Sequence, residues 1–223
     1  MTLLATVFDL DDTLVDSGPT WQRVIGAVAA RHGYRWTAAD WAAIQGTSIW
    51  GAYLAERCGD LSAERAVSEC VDGMVDAIAR GEFGLLPGAA ELVAQAAELG
   101  PVGLVSASPR RYVRAAASAS GLRRHVEAIV TGDDVTRGKP APDPYLLAAR
   151  KLGLDPVNCL AVEDSASGIR SAHAAGMTVL AIPNATTARN AEVLKLAALQ
   201  AVDAKIAAKE ICQLWVNVYA LSR

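Results

Sequence analysis

The pattern of hydrophobic and polar residues divides the chain into a short apolar run, a long helical stretch and a repeating alternation of the two. The first run, "TLLATVFDL", stops at acidic residues, which predicts a buried parallel strand. From about residue 19 to residue 81, apolar residues recur at helical spacing in successive segments that end at glycine. An all-helical segment is therefore predicted directly after the first strand.

From about residue 86, helical segments alternate with short apolar runs, which read "PVGLVSAS", "AIVTG", "NCLAVED" and "TVLAIP". This alternation predicts a doubly wound α/β fold with a Rossmann-like parallel sheet. We predict a core at residues 1–15 and 86–223 and an inserted all-helical cap domain at residues 16–85. The tail "EICQLWVNVYAL" is amphipathic and predicts a final helix, with a dimer contact as the alternative.

Composition and charge exclude several classes of partner. The chain is 52% hydrophobic and 20% charged, and its net charge of -3 supplies no basic surface for nucleic acid or an anionic membrane. No run is long enough to span a bilayer, and the start lacks the basic region of a signal peptide, so we expect a cytoplasmic protein. No CxxC pair occurs, which favours buried free thiols at Cys58, Cys70, Cys159 and Cys212.

The first strand leads into a group of acidic residues, "DLDD". In a doubly wound sheet the ligand site lies beyond the carboxyl ends of the strands. Asp9 and Asp11 are two residues apart and could face one bound group while Leu10 points back into the core. A simple Asx-type turn is the alternative. A calcium loop of the EF-hand type is excluded, because Leu14 and Thr20 occupy the positions that require Gly and Glu.

Other polar residues also follow predicted strands. Ser106 ends "GLVSAS", where it could bind an oxyanion or cap the next helix. Lys139 stands in the proline-rich loop "GKPAPDPY" and could equally be a surface lysine. Glu163 and Asp164 end "CLAVED", where they could act in chemistry or only complement a helix dipole. Each signal is weak alone, but the predicted topology collects all of them in one cleft.

The segments "DLDDT", "VSAS", "GKPAPDPY" and "VEDSASGI" resemble the four successive motifs of the haloacid dehalogenase superfamily. The resemblance extends from the first strand to about residue 183, and the helical insert resembles the small C1-type cap of that family. The motif sequences are most similar to those of the branch of phosphosugar and phosphoglycolate phosphatases and β-phosphoglucomutases. The commonest first motif has Gly where this chain has Asp12, although Asp also occurs there.

The resemblance implies a Mg²⁺ cofactor and a nucleophilic carboxylate. Asp9 and Asp164 would bind the metal directly, Asp11 through its backbone carbonyl, and Glu163 directly or through water. The metal is needed because a phosphate monoester dianion repels an anionic nucleophile. Asp9 would attack phosphorus to give an aspartyl-phosphate, and Asp11 would protonate the leaving alkoxide and then activate water. Asp11 must therefore begin protonated, which a crowd of like charges favours.

The resemblance also implies a phosphate-binding set and a set that selects the substrate. Ser106, Ala107 and Lys139 would hold the phosphoryl oxygens. Selection is expected in the cap loop "IQGTSIW", with Gly46, Thr47 and Trp50 as candidates. Two residues close to catalytic motifs, Trp21 and Arg110, could also face the leaving group, although a tryptophan at helical spacing is more often part of the core.

We therefore expect a Mg²⁺-dependent phosphatase that hydrolyses a small phosphorylated metabolite, as a monomer or homodimer. The alternatives are a phosphosugar mutase and a non-catalytic metabolite-binding regulatory protein. Mutases of the resembling branch use an arginine in the cap loop and a histidine shortly after the first motif. Here "IQGTSIWGAYL" contains neither Arg nor Lys, and Trp21 aligns with the histidine, which favours hydrolysis. Arg110 or Arg111 could still supply the missing charge.

Overall fold

The computed structural model describes residues 3–44, 47 and 49–221, and within them it forms a six-stranded, wholly parallel sheet. The strands lie in the order β3-β2-β1-β4-β5-β6. This is the doubly wound Rossmann-like arrangement expected from the sequence. In chain order the strands are β1 (Ala5–Asp9), β2 (Val102–Val105), β3 (Ala128–Val130), β4 (Cys159–Glu163), β5 (Thr178–Ala181) and β6 (Leu199–Gln200).

Strand β1 lies in the middle of the sheet and is buried along its whole length. Because side chains alternate across a strand, its residues contribute to both faces. Phe8 joins a hydrophobic cluster with Leu104, whereas Ala5 and Val7 join a second cluster with Ala161. The continuous apolar run in the sequence therefore reflects a sheet that is covered on both faces.

Strand β1 is followed by four helices within the described residues, which we call the inserted helices. Pro19 lies in the first turn of the first of them, where its missing N–H costs nothing. The side chain of Ser62 caps the last of them by accepting a hydrogen bond from the backbone N–H of Arg65. The inserted helices are α1 (Gly18–Arg31), α2 (Ala38–Ile44), α3 (Trp50–Cys58) and α4 (Ala63–Ala79).

The chain enters and leaves the inserted helices through two segments that pair with each other. Val15 and Leu85 form an antiparallel bridge, and the N–H of Leu86 donates to the carbonyl of Leu14 over 2.9 Å. This pairing lies at the predicted boundaries of residues 15 and 86. A separate cap domain at residues 16–85 stays a prediction, which the pairing supports.

The remaining helices alternate with the strands of the sheet, as predicted, and α10 is the final helix expected from the sequence. Its Ile211 and Trp215 are buried, and Cys212 lies against Gln95 of α5. The short α9 and β6 were not predicted. These helices are α5 (Ala89–Leu99), α6 (Arg110–Ala119), α7 (Asp143–Lys151), α8 (Ala166–Ala174), α9 (Ala191–Leu194) and α10 (Ala204–Leu221).

The cysteines are free thiols, as predicted. Cys58, Cys70 and Cys159 are buried, whereas Cys212 is half-buried, which corrects the expectation that all of them are buried. Within the described residues, no helix combines the length and the apolar character that crossing a bilayer requires.

Candidate active site

The first and fourth strands bring the predicted acidic residues together. Asp9 is the last residue of β1 and Glu163 is the last residue of β4, and the two strands pair in register, with Phe8 opposite Val162. The strand order changes direction between β1 and β4, which is where ligands bind in doubly wound sheets. The local sequence pattern of an apolar run ending in acids therefore marks the same edge of the sheet twice.

Lys139 lies between these two carboxylates. Its Nζ donates to Asp9 Oδ1 over 2.6 Å and to Glu163 Oε1 over 2.5 Å, and the side chain is buried. Burial alone would lower the pKa of Lys139, but the attraction of Asp9 and Glu163 raises it above its usual value. Lys139 is therefore a charged residue of the site and not a surface lysine. The hydroxyl of Tyr145 also donates to Glu163 Oε1, over 2.7 Å.

Asp9, Glu163 and Asp164 form a group that fits a divalent cation. One carboxylate oxygen from each lies within 4.8 Å of the others. Burial raises the pKa of Asp9 well above its ordinary value and that of Asp164 to about 8, and repulsion from Glu163 adds to both. A bound cation would offset this repulsion. Hard oxygen ligands from carboxylates are those that Mg²⁺ prefers, so the residues fit the implied metal.

Glu163, which ends β4, and Asp164, which follows it, are held by neighbouring residues. Asp164 accepts hydrogen bonds from Thr13 Oγ1 over 3.1 Å and from Asn184 Nδ2 over 2.7 Å. A Cβ atom at Gly168 would overlap the carboxylate of Glu163. The glycine of "VEDSASG" therefore has a packing role, because it leaves room for the buried acid.

Asp11 has different surroundings from Asp9. Its side chain points toward hydroxyl and indole groups, and it has no described contact with Lys139. Both carboxylate oxygens accept hydrogen bonds, with the shortest, 2.6 Å, from Tyr112. Among the described residues the donors to Asp11 are Ser17, Trp21, Ser106, Ser108 and Tyr112. The initial protonation of Asp11 stays a prediction.

Ser106 lies at the end of β2 and is buried. Its hydroxyl donates to Asp11 over 3.0 Å and accepts from the backbone N–H of Ser108 over 3.0 Å. Helix α6 begins at Arg110 with Pro109 as its N-cap residue, so Ser106 does not cap that helix. Ala107 lines the same cavity as the acids, as the phosphate-binding interpretation requires.

Asp12 adopts a left-handed backbone conformation, with φ of 61°. Glycine adopts this conformation without cost, and Asp and Asn tolerate it better than most residues, which explains why Gly and Asp can share the position. The Asp12 carboxylate accepts from the N–H of Gly18 over 2.8 Å. Burial raises the pKa of Asp12 to about 6, although the Gly18 bond opposes the shift.

A cavity of about 100 Å³ lies between the edge of the sheet and the inserted helices. Thr47 and Trp50 line it, and Gly46 lies outside the described residues. Their role in substrate selection stays a prediction. Trp21 also lines the cavity, and its indole N–H donates to Asp11 over 3.3 Å. Arg110 is not among the lining residues, because its guanidinium pairs with Asp134 over 2.9 Å.

Sequence reasoning did not single out Tyr112, Ser108 or Asn184. Tyr112 lies on the apolar face of α6, so its pattern is that of a core residue. Ser108 could have been found from the run of hydroxyls in "VSAS", because small polar residues after a strand often bind ligands. Asn184 follows β5, and the rule that placed the other site residues at strand ends would also have marked it.

Comparisons with known proteins agree with this geometry. Residues 4–176 match the family model described as haloacid dehalogenase-like hydrolase. The chain is 33% identical over 200 residues to protein CbbY of Rhodobacter capsulatus. This alignment covers 84% of this chain and 88% of that protein. The chain is 32% identical over 186 residues to hexitol phosphatase B of Escherichia coli K12, covering 81% and 84% respectively. The crystal structure of CbbY from Rhodobacter sphaeroides in complex with phosphate superposes with a TM-score of 0.82 at 26% identity, covering 92% and 96%.

Proposed function

The chain belongs to the haloacid dehalogenase-like hydrolases, and on that premise we propose that it is a Mg²⁺-dependent phosphatase of a small phosphorylated metabolite. The observation that carries the proposal is the convergence of Asp9, Lys139, Glu163 and Asp164 where β1 and β4 end. The name of the relative hexitol phosphatase B supports a sugar or sugar-alcohol phosphate as the substrate class.

In the proposed reaction, Asp9 is the nucleophile. One oxygen of its carboxylate is held by Lys139, which fixes the orientation of the group. A carboxylate oxygen attacks phosphorus, the bond from phosphorus to the alcohol oxygen breaks, and an aspartyl-phosphate forms. Mg²⁺ held by Asp9, Glu163 and Asp164, with the carbonyl of Asp11, would screen the charge of the phosphoryl group.

Asp11 is the proposed general acid and base. Its carboxyl proton passes to the departing alkoxide, and the resulting carboxylate then takes a proton from the water that hydrolyses the aspartyl-phosphate. Ser106 and Ser108 orient this carboxyl through their hydroxyls. Ser106 and Lys139, with the backbone at Ala107, would also bind the phosphoryl oxygens.

We place the leaving group under the inserted helices, which would act as a cap that closes over the site and excludes bulk water. Thr47 and Trp50 of this region line the cavity. The cap interpretation explains why a helical segment is inserted between Leu14 and Leu86, next to the catalytic loop.

Net hydrolysis is proposed in preference to a mutase reaction. A mutase must hold a second phosphate. Helices α1, α2 and α3 contribute no Arg or Lys to the described lining of the cavity. The two arginines that could have supplied this charge pair elsewhere, Arg110 with Asp134 and Arg111 with Asp72. With β-glucose 1-phosphate and a trace of glucose 1,6-bisphosphate, we expect free phosphate; efficient formation of glucose 6-phosphate would favour the mutase.

The main test is phosphate release from a panel of sugar phosphates, sugar-alcohol phosphates, phosphoglycolate and 4-nitrophenyl phosphate. We expect turnover with Mg²⁺ and its loss with excess chelator. Asp9→Asn should lose turnover while keeping its circular dichroism spectrum, because the amide cannot attack phosphorus. Asp76→Asn, at an exposed position of α4, is the matched control and should retain activity. Chelator-resistant turnover, or wild-type activity in Asp9→Asn, would contradict the proposal.

A further inference from the structure

The inserted helices contribute an aromatic and aliphatic surface to the cavity, which we call the apolar wall. The rings of Trp21 and Trp50 contact each other, with centroids 5.4 Å apart and planes at 58°. Helix α2 adds the half-buried Trp41. In the described part of the chain the apolar wall consists of Trp21, Ile25, Trp41, Ile44 and Trp50.

The opposite side of the cavity is lined by four acidic residues and one lysine. Lys139 is the one basic residue among the described lining residues. It already pairs with Asp9 and Glu163. A second anionic group on the substrate would therefore find no free basic side chain among the described lining residues. The acidic lining residues are Asp9, Asp11, Asp12 and Asp164.

The polar residues near the apolar wall do not change this balance. Thr47 lines the cavity without adding charge, and its hydroxyl donates to the carbonyl of Ile44 over 2.7 Å. Thr47 therefore supplies no cation for a second anionic group of the substrate.

We propose that, given the phosphatase function above, the apolar wall selects phosphate esters whose alcohol carries no second charge and presents the face of a ring. Indole rings attract flat or CH-rich faces through dispersion and burial of apolar area. An uncharged ring gains this contact, whereas a short acyclic alcohol covers little of the wall. An anionic alcohol loses hydration at the apolar wall and finds no free basic side chain among the described lining residues. Trp41 and Trp50 are thus specificity-determining residues that contact the leaving group.

The test compares three primary-alcohol esters: cyclohexylmethyl phosphate, 2-hydroxyethyl phosphate and phosphoglycolate. They represent a neutral ring, a neutral acyclic group and an anionic group. For the wild-type enzyme with Mg²⁺, we expect kcat/KM at least tenfold higher for the ring ester than for the acyclic ester, and lowest for phosphoglycolate. Trp41→Leu should lower kcat/KM for the ring ester about tenfold and leave that for the acyclic ester within twofold.

Trp36→Leu is the matched control, because Trp36 lies in the same region but packs against the rings of Tyr34 and Tyr53 and is not among the described lining residues. It should leave the ratio between the two neutral esters within twofold. Trp41→Phe keeps an aromatic face and should retain most of the preference.

The wild-type profile keeps the proposal testable even if a variant misfolds. The ring-face proposal would be overturned by equal kcat/KM values for the three esters, by a preference for phosphoglycolate, or by an equal loss of kcat/KM on both neutral esters in Trp41→Leu. Each of these results would leave the phosphatase function intact. Failure of the wild-type enzyme to hydrolyse any ester of either panel would instead overturn the phosphatase function, and the ring-face proposal with it.

Discussion

The two sides of the cavity differ in charge and in origin. The side formed where β1, β2 and β4 end carries buried acids and Lys139, brought together from distant parts of the chain. The apolar wall comes from the inserted helices and carries no charged residue among those described. Fixed charges suit bond breaking, which is the same for every phosphate ester, whereas an apolar surface suits selection of the alcohol. Changes to the two sides should therefore alter different kinetic constants.

The largest effect that separates the two sides is expected from Asp11→Asn. The amide cannot donate a proton to the alkoxide or accept one from water, so kcat should fall roughly 10²- to 10⁴-fold. Magnesium binding should be largely kept, because the proposed metal contact is through the backbone carbonyl. Calorimetric titration with Mg²⁺ checks this, and complete loss of binding would contradict the separate roles of Asp9 and Asp11.

Lys139→Met is expected to lower the free energy of unfolding by about 3–5 kcal/mol, because it leaves Asp9 and Glu163 buried without their common partner. Lys195→Met is the matched control. Lys195 pairs with Glu192 on the surface, and such exposed pairs contribute about 0–1 kcal/mol. Urea denaturation of both variants measures the difference. An equal loss of unfolding free energy in the two variants would mean that Lys139 does not stabilise the buried charges of Asp9 and Glu163.

Magnesium should stabilise the protein more at high pH than at low pH. Asp164 has a pKa of about 8 in the fold against an ordinary value of 3.8, so between these values the metal-free fold holds a proton that the unfolded chain has released. The free energy of unfolding of the metal-free protein therefore falls as pH rises from about 4 to 8. At the proposed site Mg²⁺ would replace this proton, so the gain in Tm on adding Mg²⁺ should be larger at pH 8.5 than at pH 5.5.

Thermal denaturation with Mg²⁺ or with chelator at both pH values checks this prediction. At a concentration of 100 times Kd, the ligand contributes about 2.7 kcal/mol. Asp164→Asn should weaken both the stabilisation and its pH dependence. A gain that is the same at both pH values would show that the acids do not hold protons that compete with the metal.

The smallest effect is expected from Asp40→Asn on α2, next to Trp41. Asp40 accepts hydrogen bonds from Tyr34, Thr37 and Tyr53, which hold the start of α2 in place. The substitution should raise KM several-fold through displacement of Trp41 and leave kcat within twofold. Steady-state kinetics on the preferred ester check this. A fall in kcat with unchanged KM would contradict the separation of the two sides.

The sequence predicted the charged side better than the apolar wall. Asp9 and Glu163 end apolar runs, and the topology of a parallel sheet then places them together. Lys139 could be placed only through its motif, because nothing local in a loop distinguishes a buried lysine from an exposed one. Tyr112 and Trp21 follow helical periodicity, so their bonds to Asp11 could not be separated from a core role.

The orientation of long side chains on the surface was also beyond the sequence. Arg110 lies close to a motif, but the acid that pairs with it, Asp134, lies 24 residues away, in a segment after β3 that only the fold brings near. Strand β6 has two residues and α9 has four, which is too short for any periodicity to develop. Local pattern predicts elements that are several residues long, whereas individual pairings depend on tertiary contacts.

The central position of β1 has a consequence for synthesis of the protein. β1 pairs on one side with β4, and Thr13, which follows it, bonds to Asp164 across 151 residues. At a translation rate of about 5–20 residues per second, the emerging strand waits roughly 8–30 s for that partner. During this time one edge of an apolar strand is open to other chains. The proposed metal ligands are incomplete for the same period, so a ribosome-bound chain acquires its acidic centre only after Asp164 has left the exit tunnel.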